Sequence, residues 1–165
     1  MRSQRRARPE RQASAPSGMP PPKAAKVTSS VMLWTLKGSV EQRLVKAAEA
    51  GIQSVELVSE HIGWSDEQVA HYKAAVQSYG LATDALLSQT DWVHRPVSMV
   101  NPAHRGAFLK DVRDAITWAK KLNVPQVIVL SGNEQPGMTR EELAAALKDH
   151  VKGSAGLVTR FRHPT

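Results

Sequence analysis

Glu56 lies in the middle of an apolar run, SVELV at 54–58, and a carboxylate in that setting needs a reason. Burying an unpaired carboxylate costs several kcal/mol, so an inward Glu56 requires a cation or hydrogen bonds; otherwise it is a structural carboxylate or a solvated edge residue. Asp84 poses the same question in LATDALL at 81–87 and weakens the reading of that run as a strand. Trp34, at the end of VMLW (31–34), suits either an apolar wall for a small substrate or ordinary core packing. Ser131, Gly132 and Asn133 follow the apolar run VIVL (127–130). Gly132 permits a tight turn and Asn133 offers both an amide donor and a carbonyl acceptor, so the segment reads as a substrate-side loop or as loop construction alone. His61, His71, His94, His104, His150 and His163 are scattered, with no HExxH pair and no tight carboxylate cluster. Metal-dependent nuclease chemistry needs such ligands to converge from several strand ends and is therefore disfavoured. His61 and His94 read as solvated loop residues. No catalytic residue and no metal ligand is identifiable in the chain.

These side chains must be positioned by alternating short strands and amphipathic helices. VMLW, extending to Leu36, is a first strand; Ser39 and Gln42 form a capping box for a helix carrying Val40, Leu44, Ala47 and Ala48, which Gly51 ends. SVELV is a second strand, and Ser65 with Gln68 caps a helix packing through Val69, Tyr72, Ala75, Val76 and Tyr79. LATDALL is the third strand candidate. The connection from Ser88 to Asn101, holding Trp92, His94 and Pro96, is long enough to cover a site. Asn101-Pro102 starts the next helix, VIVL is the fourth strand, and Thr139 with Glu142 caps a fourth helix. Short apolar strands separated by helices specify a parallel sheet covered by helices. Neither GxGxxG nor a Walker A motif is present, which favours barrel geometry over a nucleotide-binding open sheet, although periodicity alone does not separate a half-barrel from a small open α/β sheet.

The net charge of +7 resembles a nucleic-acid signal until it is divided along the chain. Residues 1–26 hold seven Arg and Lys against Glu10; residues 27–147 are slightly acidic. The basic excess is terminal, so no specific nucleic-acid partner is expected. MRSQRRARPERQASAPSGMPPPKAAK lacks large apolar residues and reads as a disordered basic Pro/Ala-rich leader. No apolar run follows its arginines as in a secretion signal, and no segment approaches the roughly 20 apolar residues of a membrane span. With no cysteine in the chain, a cytoplasmic location is the expectation.

Specific strings then carry a resemblance. VMLWTLKGSVEQRLVKAAEAGIQSVELVSEH and AITWAKKLNVPQVIVLSGNEQPGMTREE resemble the hydroxypyruvate-isomerase-like family of the xylose-isomerase-like TIM barrels, which also include sugar phosphate isomerases and epimerases and the endonuclease IV type of nuclease. The resemblance spans about 27–150. It implies an α/β fold: a partial TIM (β/α)₈ barrel of about four N-terminal βα units with parallel strands. Complete members are expected to hold a divalent metal, Mg²⁺ or Mn²⁺, on later-strand carboxylates and histidines, and to move a proton between adjacent carbons of a small hydroxy-keto acid or sugar with paired glutamates from that same half. None of the glutamates here matches those positions. The resemblance places Trp34, Glu56 and Asn133 around the substrate pocket, and no strong cofactor binding is expected of this chain alone.

After His150, Gly153, Gly156 and Pro164 interrupt the helical pattern, so 151–165 read as an aberrant or disordered tail. The expectation is a truncated isomerase relative, inactive alone, with an inactive half-barrel closing on itself as a homodimer or on a complementary C-terminal half as the alternative.

Overall fold

Three polar pairs set the helix starts. In the computed structural model, which describes residues 27–88, 94–95, 97–132 and 135–158 (153–158 by backbone alone), Ser39 Oγ accepts from the Gln42 amide at 3.3 Å while Gln42 Oε1 accepts from the Ser39 amide at 2.9 Å. Ser65 and Gln68 repeat this at 3.3 and 2.8 Å, and Thr139 and Glu142 at 3.2 and 2.7 Å. Each pair satisfies two amides that the first helical turn leaves without an intrahelical acceptor.

The elements run β1 (Ser30–Met32), α1 (Val40–Glu49), β2 (Ser54–Leu57), α2 (Asp66–Ser78), β3 (Ala82–Leu87), α3 (Arg105–Leu122), β4 (Gln126–Ile128) and α4 (Arg140–Val158). The four strands form one parallel sheet in the order β1-β2-β3-β4. Sequential parallel strands joined by helices put every crossover on one side. That side buries Leu33, Val55, Leu57 and Leu86 against Leu44, Val69, Tyr72, Ala115 and Ala119 from the helices. The opposite face carries Ser30, Met32, Ser54 and Glu56 by strand alternation. This is the expected α/β architecture of a partial barrel.

Four boundaries differ from the sequence expectation. β1 stops at Met32, and residues 33–35 form a 3₁₀ turn in which Thr35 Oγ1 donates to the Met32 carbonyl at 2.7 Å. The turn sends Leu33 into the core and leaves Trp34 58% exposed, so Trp34 is neither the end of a strand nor a core residue. β4 is 126–128 rather than 127–130. The α3 start expected at Asn101-Pro102 is a 3₁₀ turn, Pro102–His104, capped by Asn101 Oδ1 on the Ala103 amide at 2.9 Å; the α-helix proper begins at Arg105. α4 continues through Gly153 and Gly156 to Val158, against the break expected after His150. A glycine costs only about 1 kcal/mol relative to alanine in a helix interior, which weakens a helix without forbidding it. The leader 1–26 and residues 159–165 lie outside the described residues. Among the described residues no helix is long and apolar enough to cross a membrane.

The paired caps generate an expected outcome. Ser65→Ala should lower unfolding stability by about 1 kcal/mol, and Ser39→Ala by a similar amount, in urea melts at neutral pH. Unchanged midpoints for both variants would remove the caps from the account of the fold.

Candidate functional site

The register between β2 and β3 slips by one residue: Val55 pairs with Thr83 but Glu56 with Ala85, leaving Asp84 as the inserted residue. Thr83 remains on the helix side, where its hydroxyl bonds Tyr72 Oη at 2.8 Å. Asp84 reaches the open face and accepts from Ser30 Oγ at 3.0 Å and Ser54 Oγ at 3.1 Å. One carboxylate thus ties three adjacent strands. The bulge re-aims a side chain beside a sheet face, a common use of the irregularity near binding sites.

Glu56 stands next along the same face. It is half-buried, and among the described residues it has neither a hydrogen bond nor an ion pair. Burial, and secondly the negative charge of Asp84, raise its carboxyl above the ordinary 4.5. Such a group retains its proton at higher pH and donates to hydroxyl or carbonyl oxygens more readily than an exposed glutamate.

The strand-end loops surround this face. After β2, Glu60 folds back so that its carboxylate accepts from the Val58 amide at 2.8 Å and the Ser59 amide at 3.1 Å, and it pairs with Arg43 at 3.4 Å. After β4, the Ser131 carbonyl accepts from the Met99 amide at 2.9 Å and from Ser98 Oγ at 3.3 Å. Gly132 sits at φ +84° against Ser98; a Cβ there would lie 2.9 Å from Ser98 Cα. The residue type expected for a tight turn is therefore also required by a close approach of two loops. Asn133 lies outside the described residues, immediately after this contact, as does Trp92. Trp34 stands on the turn following β1, with its indole N–H directed to Met32 Sδ at 3.4 Å.

His61 corrects the sequence reading. It is 1% exposed rather than solvated, packs edge-on against Trp118 with ring centroids 5.3 Å apart, and its Nδ1 has no hydrogen-bond partner among the described residues. Burial lowers its pKa to about 4, against a smaller opposite effect from the Glu60 carboxylate. It lines a cavity of about 320 Å³ with Leu87, Ser88, Asp111, Asp114 and Trp118. His94 is exposed as expected, and its neighbour Arg95 forms a two-pronged ion pair with Asp111 on α3. Sequence reasoning missed the loop-anchoring Glu60 and the buried His61, because a Glu-His pair just beyond a strand carries no periodic signal. Asp84 was noticed only as an irregularity, though its placement in an apolar run was the available signal.

The divalent metal implied by the resemblance does not fit the donors described. Glu56 and Asp84 supply carboxylates to the open face, but among the described residues no three His, Asp or Glu side chains come together as a cation site.

With the parallel sheet and its open face in view, comparison with known proteins becomes decisive. Residues 44–158 match the family model described as xylose isomerase-like TIM barrel. The chain belongs to that family. No curated protein matches the sequence. Among solved structures, this xylose isomerase-like chain is similar to a family 2 AP endonuclease from Brucella melitensis (TM-score 0.66, 17% identity, 81% of this chain and 51% of that one). It is also similar to a D-psicose 3-epimerase solved in the presence of D-fructose (0.62, 15%, 82% and 50%) and to a sugar phosphate isomerase/epimerase from Parabacteroides distasonis (0.56, 14%, 84% and 50%). At these identities the likeness establishes fold. The chain spans about half the length of these structures.

Two titrations are expected. Because the folded pKa of Glu56 is raised, its ionisation opposes folding as pH rises above 4.5. Glu56→Gln should therefore unfold at higher urea than the parent at neutral pH, with the difference shrinking toward pH 4.5; an unchanged difference across that range would contradict the burial argument. His61 has the opposite dependence: its neutral form is favoured in the fold, so its contribution is present above about 6.5 and is lost as pH falls toward about 4. His61→Phe, which retains the ring contact with Trp118, should flatten the decline of stability over that interval.

Proposed function

We propose that this chain forms one wall of the pocket of a sugar isomerase or epimerase, in the hydroxypyruvate-isomerase-like branch, for a small hydroxy-keto acid or sugar. The observation that carries the reading is the open face of the sheet, where Ser30, Ser54, Asp84 and Glu56 stand together. TIM-barrel interiors are commonly filled by bulky branched apolar residues, so hydroxyls and carboxylates in those layers mark a face suited to a hydroxylated ligand. Glu56, with its raised pKa and no protein partner among the described residues, is placed to hydrogen-bond a substrate hydroxyl or carbonyl. Asp84 is occupied by two serine hydroxyls and serves to hold the wall in shape. Trp34 beside Met32 is the apolar border in this reading, and Asn133 the polar group on the β4 loop.

Moving a proton between adjacent carbons needs an acid–base pair at reacting distance from both carbons, together with stabilisation of charge on the oxygens. Glu56 is a single group, and we assign it to binding rather than to the proton transfer itself. The chain by itself is therefore proposed to be inactive. A nuclease reading finds less support: the open-face residues named above include two carboxylates and no Lys or Arg, the wrong sign for a phosphate backbone.

A second reading rests on the sheet edges. β1 and β4 each pair on only one side among the described strands, and unpaired edges invite another strand. A homodimer or a complementary C-terminal half would close the barrel, with binding but no turnover by the four-strand unit.

Hydroxypyruvate isomerisation, measured with Mg²⁺ or Mn²⁺, should be absent for this chain and present for a chain extended by a C-terminal half-barrel. In the extended form Glu56→Gln should raise KM at least severalfold while changing kcat less. Robust turnover by the purified 165-residue chain would overturn the inactive-wall reading, and an unchanged KM would remove Glu56 from the pocket.

A further inference from the structure

His61 stands on the wall of the cavity of about 320 Å³ between the loop after β2 and α3, and none of Ser30, Ser54, Asp84 and Glu56 lines that cavity. The ring is buried, yet its Nδ1 has no hydrogen-bond partner among the described residues. A buried nitrogen left unpaired costs free energy, and native interiors hold few such groups. Ser88, at the end of β3, adds a hydroxyl to the same wall. Among the described residues only its amide is engaged, donating to the Ile128 carbonyl at 2.9 Å. A single bridging water does not account for the space, since one water needs only about 10–15 Å³. The volume instead lies at the small end of the range of ligand pockets.

Charge and hydrogen-bonding capacity select the occupant. Both carboxylates on the lining are already paired, Asp111 with Arg95 and Asp114 with Lys110. Nearby, Lys121 pairs with Asp66 at 2.7 Å, and Glu60, the neighbour of His61, with Arg43 at 3.4 Å. Burial keeps His61 itself uncharged at neutral pH. These pairings leave no net charge to hold an ion. The lining is instead rich in acceptors: a carboxylate bonded to one cation keeps lone pairs, and the hydroxyls and the neutral imidazole also accept. Leu87 and the indole of Trp118 supply an apolar wall. Such a surface matches an uncharged molecule with several O–H donors on a short carbon skeleton. We propose that the cavity between the loop after β2 and α3 binds a small neutral polyol, with His61 and Ser88 bonding its hydroxyls and Trp118 covering its carbon side. Bound there, the polyol bridges the loop to α3. It stabilises the folded chain by mass action, because the unfolded chain has no such cavity.

The test is a titration of the full ¹⁵N-labelled chain with glycerol, erythritol and ribitol, and with glycerate and ethanolamine as charged molecules of similar size. The Trp118 indole N–H, the Thr117 amide and the imidazole nitrogens of His61 should shift saturably with at least one polyol and with neither charged molecule. The Ser54 and Glu56 amides of β2 should keep their positions. His61→Phe, which retains the ring contact with Trp118, should weaken the binding about tenfold, the loss of one buried hydrogen bond. Ser88→Ala should weaken it severalfold and leaves the buried ring untouched, so it carries the test even where His61→Phe disturbs the loop. Shifts that grow linearly without saturating would mean that the cavity holds water alone, and would overturn the proposal. Undiminished binding in both variants would do the same, as would preference for a charged molecule, or movement of the Ser54 and Glu56 amides in place of those at Thr117 and Trp118.

Discussion

Ser30 and Ser54 both donate to Asp84, and the geometry of the open face follows from that pair of hydrogen bonds. A carboxylate in the middle of a sheet is costly unless its oxygens are engaged. Here the engagement requires β1, β2 and β3 at one level, and the one-residue slip between β2 and β3 brings Asp84 to the serines. Past the slip, Glu56 pairs with Ala85. Burial raises the pKa of Glu56, and the same negative charge that organises the strands adds to the rise. Structure and candidate chemistry are therefore coupled through one aspartate: it shapes the wall and tunes the group that the wall presents.

The loops at the strand ends are built on a different economy. Hydrogen bonds to backbone hold them, Glu60 to the Val58 and Ser59 amides and the Ser131 carbonyl to Met99 and Ser98, and Val97 and Met99 of the β3 loop also pack in a buried apolar cluster with Phe108 and Val112 of α3. Two side chains bonded to backbone define a loop more sharply than scattered apolar contacts, because hydrogen bonds are directional. The contact of Gly132 with Ser98 joins the β3 and β4 loops into one platform. On the other flank, His61 is packed against Trp118 so that the β2 loop rests on α3. Such docking makes the rim of a barrel serviceable for binding even when the strands beneath are only three to six residues long.

Membership of the xylose isomerase-like family gives these features a setting but does not select a substrate. The structures to which the chain is similar include an endonuclease, an epimerase and an isomerase/epimerase, a spread that one fold accommodates through changes in its strand-end residues. The open face of this chain carries carboxylates and small hydroxyls, where a packed barrel interior carries branched aliphatic side chains.

Much of the scaffold was legible from local chemistry. Ser39 with Gln42, Ser65 with Gln68 and Thr139 with Glu142 announce helix starts because a capping box is satisfied within four residues. Short apolar runs such as VIVL and SVELV mark parallel strands because helices cover the sheet, and the alternation with helices restricts the topology to few choices. Trp34 and Glu56 were also candidates on local grounds, Trp34 as a large apolar side chain at the end of a strand-like run and Glu56 as a carboxylate inside one. Their environments were not. Trp34 is exposed because a 3₁₀ turn brings Leu33 into the core instead, and His61 is buried because α3, more than fifty residues later, brings Trp118 over it. Asp84 reads as a flaw in a strand until Ser30, fifty-four positions earlier, donates to it. Sequence by itself determined the order and kind of elements, since caps and periodicity act over a few residues; tertiary structure decided which polar groups are buried, paired or presented, since desolvation and hydrogen bonding depend on what other strands and helices bring near.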